Sequence, residues 1–269
     1  MDKPQEGVID FHTHAFPDFL AERAISHLEG MGDTRAFLDG TVAALLTSTD
    51  EAAISRSVVC SIATEPRQFE SILKWSREIA SARITPFPSI HPRSPDAVGE
   101  IERIAEAGFS GIKLHPEYQD FHIDEPAMAD LYGALERGGL IVLFHAGFDI
   151  GFPDSDRSSP ARIDQVRESF PALPIVASHL GGFRQWEEAG RHLVGKNIYF
   201  DTSYTVGHID PGLMREILRS HPPERLLFGS DSPWTDQGES VDEIRALNLG
   251  DDLEKRILSS NAGELLGLS

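Results

Sequence analysis

Short β-rich runs alternate with helical patterns along the whole of this 269-residue chain. Alternation of this kind predicts parallel strands joined by crossover helices. Eight strand–helix units of roughly 30 residues each favour a closed (β/α)8 TIM barrel over an open sheet. We therefore predict an α/β fold with one domain over residues 1–269. The eight runs that read as strands begin near Val8, Ser57, Arg83, Phe109, Leu140, Leu173, Asn197 and Arg225.

Helical patterns fill the intervals between these runs, and the first interval is unusually long. Within residues 17–56, Phe19 to Glu29 and Gly40 to Ala53 read as two helices. We predict a helical insertion over the barrel mouth that serves as a substrate lid. The later patterns cover Pro66 to Ala80, Pro95 to Ala107, Pro126 to Arg137, Ala161 to Phe170, Arg184 to Val194, Pro211 to Ser220, Ser240 to Leu247 and Asp252 to Leu266.

Charge and composition limit the partners of the protein. With 24 Lys+Arg against 43 Asp+Glu and a formal charge of -19, a nucleic-acid partner is not expected. We predict neither a signal peptide nor a membrane span, since the longest apolar runs are far shorter than about 20 residues. The single cysteine, Cys60, reads as a buried thiol. The predicted setting is cytoplasmic, with a small-molecule substrate, and a homo-oligomer is compatible with the sequence.

Two histidines end the first predicted strand. Alternation along a strand places His12 and His14 on one face with Asp10, and Ile9 and Phe11 on the other. Two neighbouring imidazoles can bind one metal ion. Taken alone, the pair is more typical of polar residues in a strand-end turn, so further ligands are needed to decide.

Other titratable side chains also fall at predicted strand ends, where TIM barrels place their active sites. Six of the eleven histidines do so. Imidazole nitrogen and carboxylate oxygen are the ligands that zinc takes in catalytic sites. The convergence therefore predicts a metal centre, although each residue singly has a structural alternative. The strand-end residues are His12 and His14 on strand one, His91 on strand three, Lys113 and His115 on strand four, His145 on strand five, His179 on strand six and Asp231 on strand eight.

As an ordered set, these motifs resemble the amidohydrolase superfamily over nearly the whole chain. The set comprises His12-Thr-His14, His145, His179-Leu-Gly-Gly and Gly-Ser-Asp231-Ser-Pro. Within the superfamily the chain most resembles the amidohydrolase 2 group, whose relatives include aminocarboxymuconate semialdehyde decarboxylase. The resemblance implies a divalent metal, most simply zinc, held by His12, His14, His145 and Asp231. It also places His179 near the metal water or the substrate, as a further candidate ligand.

Lys113 leaves the number of metal ions open. Binuclear members of the superfamily carry a carboxylated lysine on strand four, and Lys113 lies on that strand. The resemblance to the decarboxylase-like group instead implies one ion, with Lys113 free to bind a substrate carboxylate. We expect one ion, with two as the alternative.

The predicted activity is hydrolysis of a small-molecule amide, ester or lactone by a metal-activated water, with Asp231 and His179 as catalytic residues. Decarboxylation of a small unsaturated carboxylic acid on the same site is the alternative. A catalytically silent metal-binding barrel is an alternative of another class. A metal-free barrel that binds phosphate is disfavoured, because the loops after strands seven and eight lack a glycine-rich cradle.

Several residues near the strand ends are candidates for substrate binding. Arg157 and Arg162 could hold an acidic substrate or be solvated. Trp234 could stack on a ring or simply pack. Asp10 is expected to support the site from beneath and not to bind metal. The predicted substrate-binding set is His91, Lys113, His115, Tyr118 and Trp234.

Overall fold

Eight parallel strands form the centre of the protein in the computed structural model, which describes residues 7–153 and 155–268. The first three strands form one sheet in the order β1-β2-β3, and the other five form a second sheet in the order β4-β5-β6-β7-β8. The strands are β1 (Val8–Thr13), β2 (Ile54–Cys60), β3 (Ile84–Phe87), β4 (Gly111–Leu114), β5 (Ile141–Phe144), β6 (Ile175–Ala177), β7 (Tyr199–Asp201) and β8 (Leu226–Leu227).

Backbone hydrogen bonds join the two sheets into a closed barrel. Between β3 and β4, the Lys113 amide donates to the Pro88 carbonyl at 3.0 Å. Between β1 and the chain after β8, the Phe11 amide donates to Phe228 O at 2.8 Å, and the Asp231 amide donates to His12 O at 2.8 Å. The predicted single-domain (β/α)8 TIM barrel is confirmed.

Helices surround the barrel, and most begin within a few residues of their predicted starts. The helices are α1 (Asp18–Gly32), α2 (Val42–Glu51), α3 (Phe69–Ile79), α4 (Ala97–Glu106), α5 (Pro116–Gln119), α6 (Ala129–Arg137), α7 (Pro160–Ser169), α8 (Trp186–His192), α9 (Pro211–Ser220), α10 (Gln237–Ala246), α11 (Asp251–Lys255) and α12 (Asn261–Leu265). The helix predicted over Asp252 to Leu266 is interrupted by a π-turn at Arg256–Ser260. In the described part of the chain, no helix is both long and apolar enough to span a membrane.

The prediction that side chains alternate regularly between the two faces of β1 was wrong. The pairing register with β2 shifts between Asp10 and Thr13, so neighbouring residues need not face opposite sides. Phe11 packs in the barrel interior with Leu143 and Leu227. Asp10, expected on the face of His12, instead accepts a hydrogen bond from Gln237 Nε2 on α10 at 2.7 Å. Its side chain is fully buried, as expected.

The segment between β1 and β2 contains the two expected helices, α1 and α2. It contacts the loops at the carboxyl ends of later strands: the Phe37 amide donates to Pro233 O at 2.8 Å, and Thr34 Oγ1 lies 3.5 Å from the Tyr204 hydroxyl. The insertion therefore lies at the carboxyl end of the barrel. Its action as a lid stays a prediction.

Candidate active site

A cavity of about 1420 Å³ opens at the carboxyl ends of the strands. Most of the residues singled out at the strand ends meet at its floor, where the side chains are largely buried. The floor is lined by His12, His14, Lys113, His115, His145, His179 and Asp231.

His12 is held in one tautomer by a carboxylate. Its Nδ1 lies 2.9 Å from Asp201 Oδ2, so Nδ1 carries the hydrogen and Nε2 presents a lone pair. That lone pair faces Lys113 Nζ at 3.0 Å and Asp231 Oδ1 at 3.5 Å. Burial, and then the charge of Lys113, lower the pKa of His12 to about 4. The imidazole is therefore neutral at pH 7, the form that binds a metal.

His14 is oriented in the same way by a backbone carbonyl. Its Nδ1 lies 2.9 Å from Cys60 O, which can only accept, so Nδ1 is the donor and Nε2 is the nitrogen whose lone pair is available in the neutral ring. This nitrogen lies 3.2 Å from Asp231 Oδ1. Burial alone would raise the pKa of Asp231, but the positive charge that His12 and His14 carry when protonated, with a hydrogen bond from His14, holds it below its usual range. When both rings are neutral, two lone pairs and the carboxylate oxygen face one another, as in a metal site.

His145 and His179 form a second convergence of lone pairs. His145 Nε2 lies 3.1 Å from Phe148 O, and His179 Nδ1 lies 2.8 Å from Ser203 O. Since each carbonyl requires a donor, the remaining nitrogens, His145 Nδ1 and His179 Nε2, are both acceptors, and they lie 3.1 Å apart. The repulsion between two acceptor nitrogens at this distance is removed only by a proton or a cation between them. Burial, with His115 and His179 nearby, lowers the pKa of His145 far below its usual value, which disfavours the proton.

The separations between these atoms fit a divalent metal. Two ligand atoms bound to one zinc ion at a tetrahedral angle are about 3.3 Å apart. The observed separations are 3.2 Å for His14 with Asp231, 3.5 Å for His12 with Asp231 and 3.1 Å for His145 with His179. The donor set and its spacing are those that zinc or manganese would accept.

The predicted ligands do not form a single group. The ligand atoms of His12, His14 and Asp231 lie within 4.8 Å of one another, whereas His145 groups with His115 and Asp149. The rings of His115 and His145 stack with centroids 4.2 Å apart. Ligation by any of these residues therefore stays a prediction, with His12, His14 and Asp231 as the best-assembled part.

Lys113 is a buried cation at the centre of the floor, 1% exposed. Burial lowers the pKa of its amine, and nearby anionic groups, Asp231 among them, oppose that shift. With Nζ 3.0 Å from His12 Nε2, its ammonium can donate to the imidazole or to a bound carboxylate. The position is compatible with both of the predicted roles of Lys113.

Asp201 is a residue of this site that the sequence analysis missed. It ends β7 and is completely buried. Besides contacting His12, its Oδ1 accepts hydrogen bonds from the His179 amide at 3.0 Å and from the Ser203 hydroxyl at 2.5 Å. Asp201 therefore ties strand one to strand six. Its position at the end of a predicted strand was the signal that could have identified it.

Most of the proposed substrate-binding side chains line the cavity, namely Lys113, His115, Tyr118 and Trp234. His91 does not appear in that lining within the described residues, and its Nδ1 accepts from the Arg93 amide at 3.1 Å. The two candidate arginines are paired with carboxylates. Arg157 lies 2.7 Å from Asp120 Oδ1, and Arg162 makes two bonds of 2.7 and 2.9 Å to Asp124.

Two functional candidates also have unusual backbone conformations. Asp231 has φ 71° and His179 has φ 57°, both in the left-handed region. Close packing adds to this local constraint, because a Cβ at Gly229 would lie 2.9 Å from the Cβ of His12. The site thus depends on backbone geometry as well as on side chains.

All of the site residues described above lie within the region matched by one family model. A family model described as amidohydrolase matches residues 9–268. The chain belongs to the amidohydrolase family. The resemblance seen in the motifs is thereby confirmed, and this family is metal-dependent. A search of curated proteins finds no match.

Solved structures share the fold of this amidohydrolase at low identity. A TIM-barrel protein from Bordetella bronchiseptica is 20% identical with a TM-score of 0.76, covering 97% of this chain and 98% of that one. The 2,6-dihydroxybenzoate decarboxylase from Rhizobium is 15% identical with a TM-score of 0.71, covering 98% and 99%. The 5-carboxyvanillate decarboxylase from Novosphingobium aromaticivorans, solved with manganese and 4-hydroxy-3-methoxy-5-nitrobenzoic acid, is 13% identical with a TM-score of 0.71, covering 97% and 96%.

Proposed function

We propose that this protein is a metal-dependent hydrolase that cleaves an amide, ester or lactone bond of a small molecule. One observation carries the proposal: the acceptor nitrogens of His12 and His14 face the ionised Asp231 at the floor of a deep cavity. Two imidazole nitrogens that converge on a carboxylate oxygen are a donor set that a divalent metal binds, and Lys113 Nζ lies beside it, 3.0 Å from His12 Nε2.

His12, His14 and Asp231 would hold a divalent cation, for which we propose zinc as a single ion, with His145 and His179 adjacent. Such a cation, when bound, lowers the pKa of a coordinated water to about 7 and polarises a carbonyl group. Zinc and manganese both suit this nitrogen and oxygen donor set, so the metal itself is part of the proposal.

The side chains supply the proton transfers. Asp231 accepts a proton from the attacking water, whose oxygen then bonds to the carbonyl carbon. His179 has its Nδ1 hydrogen directed to Ser203 O, so Nε2 is the nitrogen that can take up the proton released by Asp231 and pass it to the leaving group, which restores both side chains. Cleavage of the bond to nitrogen or oxygen leaves a carboxylic acid and a protonated amine or alcohol.

Decarboxylation is the second candidate, and Lys113 is the observation that favours it. A buried ammonium 3.0 Å from His12 Nε2 is well placed to bind the carboxylate of an acidic substrate. Loss of carbon dioxide breaks a carbon–carbon bond and leaves the electron pair on the substrate carbon, which then takes a proton, for example from His179. The two decarboxylases with the same fold make this reaction worth testing beside hydrolysis.

Metal content tests the common basis of both reactions. Natively purified wild type, Asp231→Ala and the exposed control Asp242→Ala would be measured by plasma emission. We expect about one ion per chain in wild type and control, and depletion in Asp231→Ala. Two ions would indicate a carboxylated Lys113. No metal in wild type, even after zinc or manganese is supplied, would overturn the proposal.

Product analysis then separates the reactions. Esters, lactones, amides and unsaturated acids would be incubated in 18O-labelled water with wild type and His12→Ala. Label in a new carboxylate identifies hydrolysis, whereas carbon dioxide release identifies decarboxylation. Full turnover by His12→Ala would contradict a metal-based mechanism. Metal binding without any turnover across the panel would favour the catalytically silent barrel.

A further inference from the structure

The cavity extends far beyond the floor of the site. Its volume of about 1420 Å³ is larger than the 300–1,000 Å³ typical of pockets that enclose drug-sized ligands. The additional space lies beside α1 and α3. We call this part the apolar arm and define it by Leu20, Ala24 and Leu28 of α1 and Ile72, Trp75 and Ile79 of α3.

Each helix contributes one continuous stripe to the apolar arm. Leu20, Ala24 and Leu28 are spaced by four residues, and Ile72, Trp75 and Ile79 by three and four, so each set shares one helix face. All six side chains are only partly buried although all are apolar. From Ile72 to Ile79 the stripe on α3 is about 10 Å long at 1.5 Å per residue.

Charged side chains of this part of the cavity are confined to its rim. Asp18, Arg23, Lys74 and Glu78 belong to the lining, and all four are exposed. The lining of the cavity is therefore titratable at the floor, apolar along the wall, and charged and exposed to water at the rim.

We propose that the apolar arm binds an extended hydrocarbon portion of the substrate, whose reacting carbonyl or carboxylate lies at the floor. This proposal rests on the proposed function, and it names the substrate class as a molecule with a long aliphatic or aryl-alkyl chain. Continuity with the floor favours a substrate chain over a second protein copy, because a single molecule can reach both regions. Burial of the chain against both helix stripes would supply affinity by the hydrophobic effect.

A chain-length series tests the apolar arm. Straight-chain hydroxamic acids with four, six, eight and ten carbons would be titrated calorimetrically into the protein as purified. Full burial of a methylene is worth about 0.8 kcal/mol, or about fourfold in the dissociation constant. We therefore expect affinity to rise by a constant factor, up to about fourfold per methylene. An affinity independent of chain length would overturn the proposal, as expected if a protein segment occupied the arm.

Three variants test whether the dependence of affinity on chain length arises in the apolar arm. Ile72→Asp and Leu28→Asp place a charge on either wall, and both should flatten the dependence on chain length. Phe37→Asp makes the same chemical change at a side chain that is 60% exposed and not in the cavity lining, and should preserve the dependence. Equal slopes in wild type and both wall variants would overturn the proposal. Since the walls are independent, misfolding of one variant leaves the other as the test.

The same series keeps this proposal separate from the proposed function. Asp231→Asn should weaken binding of all four hydroxamates by one common factor, because it affects the head group and not the chain. An unchanged affinity in Asp231→Asn would count against the metal site, whereas the slope alone reports on the apolar arm.

Discussion

Replacement of Asp201 by asparagine should weaken metal binding without moving any proposed ligand. The two side chains have nearly the same shape, but the amide has one donor and one acceptor where the carboxylate has two acceptors. If the amide nitrogen takes the place of Oδ2, it opposes the Nδ1 hydrogen of His12. If it takes the place of Oδ1, it opposes the amides of His179 and Ser203, both at 3.0 Å. Either orientation sets a donor against a donor.

The size of the effect follows from these contacts. In the first orientation, His12 avoids the donor–donor contact only if its hydrogen moves from Nδ1 to Nε2. That tautomer no longer has the lone pair that faces Asp231. A hydrogen bond to a charged group is worth about 1.5–3 kcal/mol, and loss of such support for a metal-bound imidazole typically weakens metal binding about 10- to 100-fold. Burial alone would raise the pKa of Asp201, yet His12 and the hydrogen bonds keep it below its usual range. The carboxylate is therefore ionised at neutral pH, and the comparison with asparagine is between a charged and a neutral group.

The assay is competition for zinc or manganese with a chromophoric chelator. Wild type, Asp201→Asn and the exposed control Asp242→Asn would be compared, and circular dichroism would verify folding. We expect a 10- to 100-fold higher metal dissociation constant in Asp201→Asn only, about 1.4–2.7 kcal/mol. A folded Asp201→Asn protein that binds metal within twofold of wild type would refute the argument that the tautomer of His12 governs affinity.

Two further expectations concern groups around the site. Burial, with the charge of Asp149 nearby, raises the pKa of Glu117 to about 7. The folded state therefore favours the protonated form, and this contribution to stability is present below about pH 4.5 and lost as pH rises through about 7. Thermal melts between pH 5 and 8 should fall less steeply in Glu117→Gln than in wild type; parallel curves would contradict the assignment. Arg162 is not among the residues that line the cavity, and Arg162→Ala should change KM by less than about twofold once a substrate is known, because its guanidinium is already paired with Asp124 and only partly buried. A KM increase of tenfold, measured by steady-state kinetics, would show that Arg162 binds substrate after all.

The sequence was sufficient for the barrel and for most of the floor, because both follow from local patterns. Alternating strand and helix signals place the eight strand ends, and the rule that these ends form the site brings His12, His14, His179 and Asp231 together. The same rule applied to β7 would have included Asp201, but that strand carries no histidine to mark its end as part of a metal site.

Other features depend on contacts that local patterns do not encode. The hydrogen bond between His12 and Asp201 joins residues 189 positions apart. The register shift in β1 is defined by its pairing with β2, and the same strand also bonds to the chain after β8, both far away in the sequence. The pairing of His145 with His179 likewise depends on which carbonyl each ring meets, and that is fixed only when the barrel closes.

The left-handed backbone of Asp231 and His179 lowers thermal stability at two positions whose side chains we propose are needed for function. Each such residue costs about 1–2 kcal/mol relative to a conformation that its side chain prefers, whereas glycine adopts it freely. Glycine at position 231 would therefore remove the carboxylate and relax the main chain in one step, so an inactive Asp231→Gly protein should resist heat better than Asp231→Ala. At these two positions, a more stable main chain would therefore be gained at the expense of the side chains to which we assign proton transfer.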